Sequence, residues 1–158
     1  MGTTSYCPEC GANLPDGNTC QDYFYQLLYW ENEDPVNGEV HHLLVLCYHL
    51  QHPSLYSSEG LVNAQEILRQ FVEEGVSPAD MVKRNRDKVA SDKRHWKIKP
   101  TAESRGSYPD PIHWSMTTAD VIAGGSAHYR DNVRAWGHST FETLKAGGSG
   151  QATRSHDT

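Results

Sequence analysis

Residues 5–24 read SYCPECGANLPDGNTCQDYF, and residues 41–54 read HHLLVLCYHLQHPS. The first stretch holds three of the four cysteines of the chain, and the second is a histidine-rich segment with helical periodicity. Cys7 and Cys10 are two residues apart, a spacing that lets one turn present two thiolates to one ion. Gly11 follows, and a glycine there lets the backbone turn so that amide hydrogens point at sulfur. Cys20 comes ten residues later, after the turn residues LPDGN.

A fourth ligand can be sought by register. Residues 20–32 carry Tyr23, Phe24, Leu27, Leu28 and Trp30 at helical spacing, and residues 39–51 carry Val40, Leu43, Leu44, Cys47 and Leu50. Asp34-Pro35 and Asn37-Gly38 break the pattern between them. If the two helices run antiparallel about residues 35 and 36, Cys20 faces the end of the second, where His49 and His52 lie. His52 precedes Pro53, where the chain leaves the helix and the imidazole is free to turn towards the knuckle. The expected ligands are Cys7, Cys10, Cys20 and His52, with His49 as the substitute. Three thiolates and one imidazole suit one structural Zn²⁺ per chain in a closed tetrahedral site.

These residues admit other readings. A redox dithiol normally follows a strand and opens a helix, where the helix dipole lowers a thiol pKa. Here the pair precedes a glycine and a turn. Cys47, flanked by Leu46, Tyr48 and Leu50, reads as a small core residue. His41 lies about 15 Å up the helix from the site at 1.5 Å per residue. It shares a face with Val45, Tyr48 and His52, so His41 and Tyr48 are candidates for a second polar feature.

The rest of the chain continues the helical pattern. Ser57 or Ser58 opens a third helix that Gly75 ends, and SPAD at 77–80 is a capping box for a fourth, reaching about Ala90. TTAD at 117–120 starts a short helical turn, and Ser126 is placed to cap a last helix. In that helix Tyr129, Val133, Trp136, Thr140 and Leu144 recur at steps of three and four. Residues 91–114 lose the periodicity and read as a long, partly extended loop. The expected architecture is all-α: a bundle of about five helices with an N-terminal zinc-knuckle staple. Its bounds are a single domain over 1–146 and a disordered Gly/Ser-rich tail over 147–158.

Charge is unevenly spread within the net −6. Residues 1–82 hold twelve acids and one base, Arg69, whereas residues 83–105 hold nine bases and three acids. The favoured reading is that the basic segment neutralises the acidic half. The alternative is an anion-binding patch formed by Arg94, Trp96, Lys97 and Lys99. No run of about 18 apolar residues and no secretory signal is visible, so a cytoplasmic protein without a membrane span is expected. In a reducing compartment clustered cysteines bind metal more often than they form disulfides.

The combination of CPECGANLP, VHHLLVLCYHLQHPS, EEGVSP, HWKI and MTTADV resembles a bacterial family of small proteins known only as a domain of unknown function. The resemblance covers about residues 5–144, with matching positions at Cys7, Cys10, Cys20, His41, Tyr48, Gln51, His52, Trp96 and Trp114. It implies a bacterial, cytoplasmic, single-domain protein and no particular chemistry. Function therefore divides three ways. A zinc-stabilised protein that binds a protein partner or small ligand comes first, and the balance leans away from an enzyme. A metal-dependent transferase or hydrolase with an open His/Cys site is the alternative. Nucleic-acid binding through residues 83–105 ranks third.

Overall fold

The computed structural model describes residues 4–15, 17–77, 80, 83, 106–108 and 112–147. The expected fourth helix, apart from Asp80 and Lys83, lies outside these residues. So do Arg94, Trp96, Lys97 and Lys99, most of the 91–114 loop, and residues 148–158. The described fold is an all-α bundle of five α-helices, joined to one small antiparallel hairpin.

The hairpin was not anticipated. Strands β1 (Thr4–Tyr6) and β2 (Asn13–Pro15) pair Thr4 with Pro15 and Tyr6 with Asn13. Cys7 to Ala12 close the loop between them. The Cys7 N–H donates to the Ala12 carbonyl at 3.0 Å, and the Gly11 N–H to the Cys7 carbonyl at 2.8 Å. Gly11 sits at φ 77°, a conformation that a side chain would strain, so the tight loop depends on it. A strand thus precedes the first cysteine, but another strand, not a helix, follows the pair. Ala12 and Leu14 are buried and seat the hairpin on the bundle.

Helix α1 (Cys20–Glu33) starts at a capping box. Thr19 Oγ1 accepts the Asp22 N–H at 3.1 Å, and Asp22 returns a carboxylate oxygen to the Thr19 N–H at 2.9 Å. A 3-10 turn, Pro35–Val40, then delays α2 (His41–Leu50) by two residues relative to the sequence expectation. Asp34 accepts the Val36 N–H at 3.1 Å and so stabilises that turn. Helix α3 (Ser58–Glu74) is capped by Ser57 and ended by Gly75. Helix α4 (Thr118–Ala123) begins at the Thr117–Asp120 capping box. Ser126 is not the cap of the last helix. It opens a 3-10 turn, Ser126–His128, and α5 (Tyr129–Gly147) follows.

Helix α5 is the centre of the bundle and packs on α2, α3 and α4, while α1 lies on α4 and the 3-10 turn. Its stripe of Tyr129, Val133, Trp136, Thr140 and Leu144 is buried throughout, as the periodicity required. At Gly137 an added Cβ would meet Leu43 Cδ1 at 3.0 Å and Phe71 at 3.3 Å, so this glycine lets α5 approach its neighbours closely. Trp114 is buried against Tyr108, with ring centroids 6.0 Å apart, and anchors the segment that leads into α4.

Between α1 and α2 the side chains meet in three pairs: Cys20 with His52, Phe24 with Tyr48, and Glu31 with His41. All three pairs are symmetric about Val36. Positions 20, 24 and 31 lie on one face of α1, and 41, 48 and 52 on one face of α2 and its exit. The antiparallel register read from the sequence therefore exists.

Candidate metal centre

Cys7, Cys10, Cys20 and His52 come together from three separate parts of the chain. The hairpin loop brings the first two, the first residue of α1 brings the third, and the exit from α2 brings the fourth. One ligand atom from each lies within 4.8 Å of all the others. The closest approaches are Cys7 Sγ to His52 Nε2 at 3.4 Å and Cys10 Sγ to Cys20 Sγ at 3.5 Å. A tetrahedral ion with bonds of about 2.3 Å to sulfur would separate its ligand atoms by about 3.8 Å. The cluster brackets that value. All four side chains are buried.

Local structure explains each orientation. His52 Nδ1 lies 2.6 Å from the Tyr48 carbonyl oxygen. A carbonyl only accepts, so Nδ1 carries hydrogen and Nε2 is the nitrogen facing the thiols. The imidazole packs on the Tyr48 ring at 4.3 Å between centroids, and Tyr48 in turn stacks on Phe24 at 4.1 Å. His49, the substitute candidate, is not among the four. Its ring meets Tyr56 edge-on at 5.1 Å, and burial, with His52 nearby, pulls its pKa down to about 4.

The electrostatics of the pocket are those of three closely packed thiols beside one imidazole. The Cys7 thiol is held well below its ordinary value by hydrogen bonds from Cys10 and Cys20, and also from His52 and the Cys10 backbone amide. Cys10 is pushed up by the Cys20 and Cys7 sulfurs and by burial, against a small opposing effect of the Ala12 amide. Burial would lower His52, but hydrogen bonds to Cys20 and Cys7 outweigh it and raise the imidazole to about 10. Without a cation the pocket thus favours negative charge on Cys7, a proton on Cys10 and positive charge on His52. Three thiolates cannot share so small a buried volume unless a positive ion replaces their protons. The donor set therefore fits a soft or borderline divalent metal.

Two features here escaped the sequence reading. Glu9, between the paired cysteines, accepts the Ser54 N–H at 3.2 Å and the Ser54 hydroxyl at 2.8 Å, clamping the hairpin loop to the exit of α2. Phe24 completes the aromatic stack over His52. A groove of about 450 Å³ opens beside the loop, lined by Cys7, Cys10, Tyr108, Ile112, His113 and Trp114.

The remaining candidates lie elsewhere. His41 Nδ1 is 2.6 Å from Glu31 Oε1, and the Tyr129 hydroxyl donates to Glu31 Oε2 at 3.4 Å. This is a second polar feature, but Tyr48 belongs to the thiol end of the face, against Phe24 and His52, and not to it. Cys47 is buried apart in the core, where burial pushes its thiol up to about 12. His113, His128 and His138 join no cluster with metal-ligand spacing among the described residues. No helix among those residues is long and apolar enough to cross a membrane.

No curated protein and no solved structure matches the chain. A family model does match, over residues 5–145, so the span from the knuckle to the last turn of α5 is one family unit. The chain belongs to the family described as "Family of unknown function (DUF5946)".

Proposed function

We propose that Cys7, Cys10, Cys20 and His52 hold one structural zinc ion, and that the protein is a zinc-stapled binding module rather than a metalloenzyme. The observation that carries this reading is the completeness of the donor set: four buried ligand atoms from three chain segments, within 4.8 Å of one another. Four protein ligands saturate a tetrahedral zinc and leave no position for an activated water. The ion supplies folding energy, and the chain supplies everything else. The aromatic groove beside the knuckle is of a size that takes a small ligand, and two of the ligand cysteines form one of its walls. Free thiols reserved for metal call for a reducing compartment.

Elemental analysis and metal-edge spectroscopy of the purified protein test this. One zinc per chain in an S₃N shell, with no oxygen neighbour, is the expected result. A protein that carries no metal and melts identically with and without chelator ends the reading. A coordinated water in place of one protein ligand transfers it to the metalloenzyme alternative.

A further inference from the structure

Thr118, the first residue of α4, is completely buried, and its Oγ1 lies 3.1 Å from Cys20 Sγ. Its position is fixed from two directions. The Thr117–Asp120 capping box sets where α4 begins, with the Thr117 N–H donating to Asp120 Oδ2 at 2.8 Å. The packing of α4 on α1 then brings that end of the helix to Cys20. At the first helical position no preceding turn of helix offers a carbonyl to the hydroxyl, which is free to point away from the helix.

His52 is held by a main-chain partner close in sequence, the Tyr48 carbonyl. Cys20, at the start of α1, meets a side chain from across the fold instead. A thiolate accepts and does not donate, so in the metal-bound state the Thr118 hydroxyl is the donor.

We infer that Thr118 is a positioning residue of the metal centre: its hydroxyl orients and partly neutralises the Cys20 thiolate. This inference rests on the metal reading above. It also assigns the MTTADV segment, 98 residues along the chain from Cys20, a part in the centre. Hydrogen bonds to ligand atoms hold the donor in place and moderate the charge it presents to the ion.

The test uses the full-length protein loaded with cobalt(II), whose sulfur-to-metal charge-transfer bands report the thiolates directly. T118S keeps the hydroxyl and is expected to match the wild type. T118V keeps the shape, should still take up one cobalt per chain, and should show charge-transfer bands moved to lower energy. Its zinc affinity should fall by roughly 10- to 100-fold. A T118V protein identical to the wild type in both bands and affinity overturns the role of Thr118 and leaves the metal reading standing. Wild type that binds neither cobalt nor zinc overturns both. Should T118V not fold, the wild type loaded with cadmium-113 decides. A slowly exchanging Thr118 hydroxyl proton with scalar coupling to cadmium supports the bond, and absence of that coupling overturns it.

Discussion

The two ends of the α1–α2 face make a controlled comparison within one molecule. They share a register and a pair of helices, and each end holds a histidine beside acidic groups. At one end His52 meets the three thiols of Cys7, Cys10 and Cys20. At the other His41 meets the Glu31 carboxylate, which the Tyr129 hydroxyl also contacts. The Glu31–His41 pair is self-sufficient, since both carboxylate oxygens have a partner, His41 Nδ1 at Oε1 and the Tyr129 hydroxyl at Oε2. The thiol cluster has more potential negative charge than one imidazolium can balance. The same scaffold therefore yields a closed hydrogen-bonded pair at one end and a donor cluster that could hold a metal ion at the other, and the difference lies in the stoichiometry of the donors.

The largest effect should follow from removing a thiol. Cys10→Ser leaves a pocket with two thiols and one imidazole, and structural zinc contributes on the order of 10 kcal/mol in small domains. The variant should lose several kcal/mol of stability or fail to fold, as read by thermal melting with and without added zinc. An unchanged melting curve would mean that the thiol end is as self-sufficient as the carboxylate end.

Proton release comes next. In the metal-free pocket His52 is raised to about 10 and Cys10 lies above its ordinary value, so both carry protons near neutral pH. Metal must displace them. Calorimetry in buffers of different ionisation enthalpy should show at least these two protons released per ion, and apparent affinity should rise with pH across the neutral range. For stability without metal the sign differs. A raised His52 contributes fully below 6.5, and that contribution is lost as pH rises towards about 10. The lowered Cys7 works oppositely, adding stability as pH rises towards its ordinary 9.0. Between 6.5 and 9.0 the two oppose each other, so metal-free stability should vary little there while metal affinity climbs. A metal affinity that does not change with pH would show that the thiols are already ionised.

The contrast between the two ends also explains what could be read from the chain. Convergence of Cys7, Cys10, Cys20 and His52 was legible because knuckle spacing is local and the antiparallel register needed only one turn to be located. The α5 stripe was legible because five apolar or small residues recur on one face. The β1–β2 hairpin was not, since strands of three residues are too short to display a period of two. Glu31 was not legible either: a glutamate near the end of a helix reads as solvent-facing. Its burial, with the side chain 7% exposed, depends on Tyr129 from α5, far away in sequence. Side chains that reach one another across the fold leave no pattern in a single sequence.

At the carboxylate end the expected loss is smaller. His41→Ala leaves Glu31 buried with Tyr129 alone. Breaking a fully buried pair costs about 3–5 kcal/mol. Because the His41 side chain is 45% exposed, solvent screens the pair, and a loss of about 1–3 kcal/mol is expected. His41→Gln, which can still donate to the carboxylate, should recover part of it. Urea unfolding of the metal-loaded protein measures both, and an unaltered zinc content would show that this end carries no metal.

The smallest effect is the most discriminating. Phe24 stacks on Tyr48, which covers the His52 ring, so Phe24→Leu should cost about 0.5–1.5 kcal/mol through the lost aromatic contact. It should also quicken zinc release to a chelator, because the cover over the imidazole loosens. Phe24 and Glu31 are seven residues apart on α1, about 10 Å along the helix. At that separation, changes that share no partner add to within about 0.5 kcal/mol. The double variant F24L/H41A should therefore lose the sum of the two single losses, and its zinc release should equal that of F24L alone. A coupling energy above about 1 kcal/mol, or zinc release that responds to H41A, would show the α1–α2 face behaving as one unit. The Glu31–His41 pair would then bear on metal retention, and the division into a closed hydrogen-bonded pair and a separate thiol pocket would have to be given up.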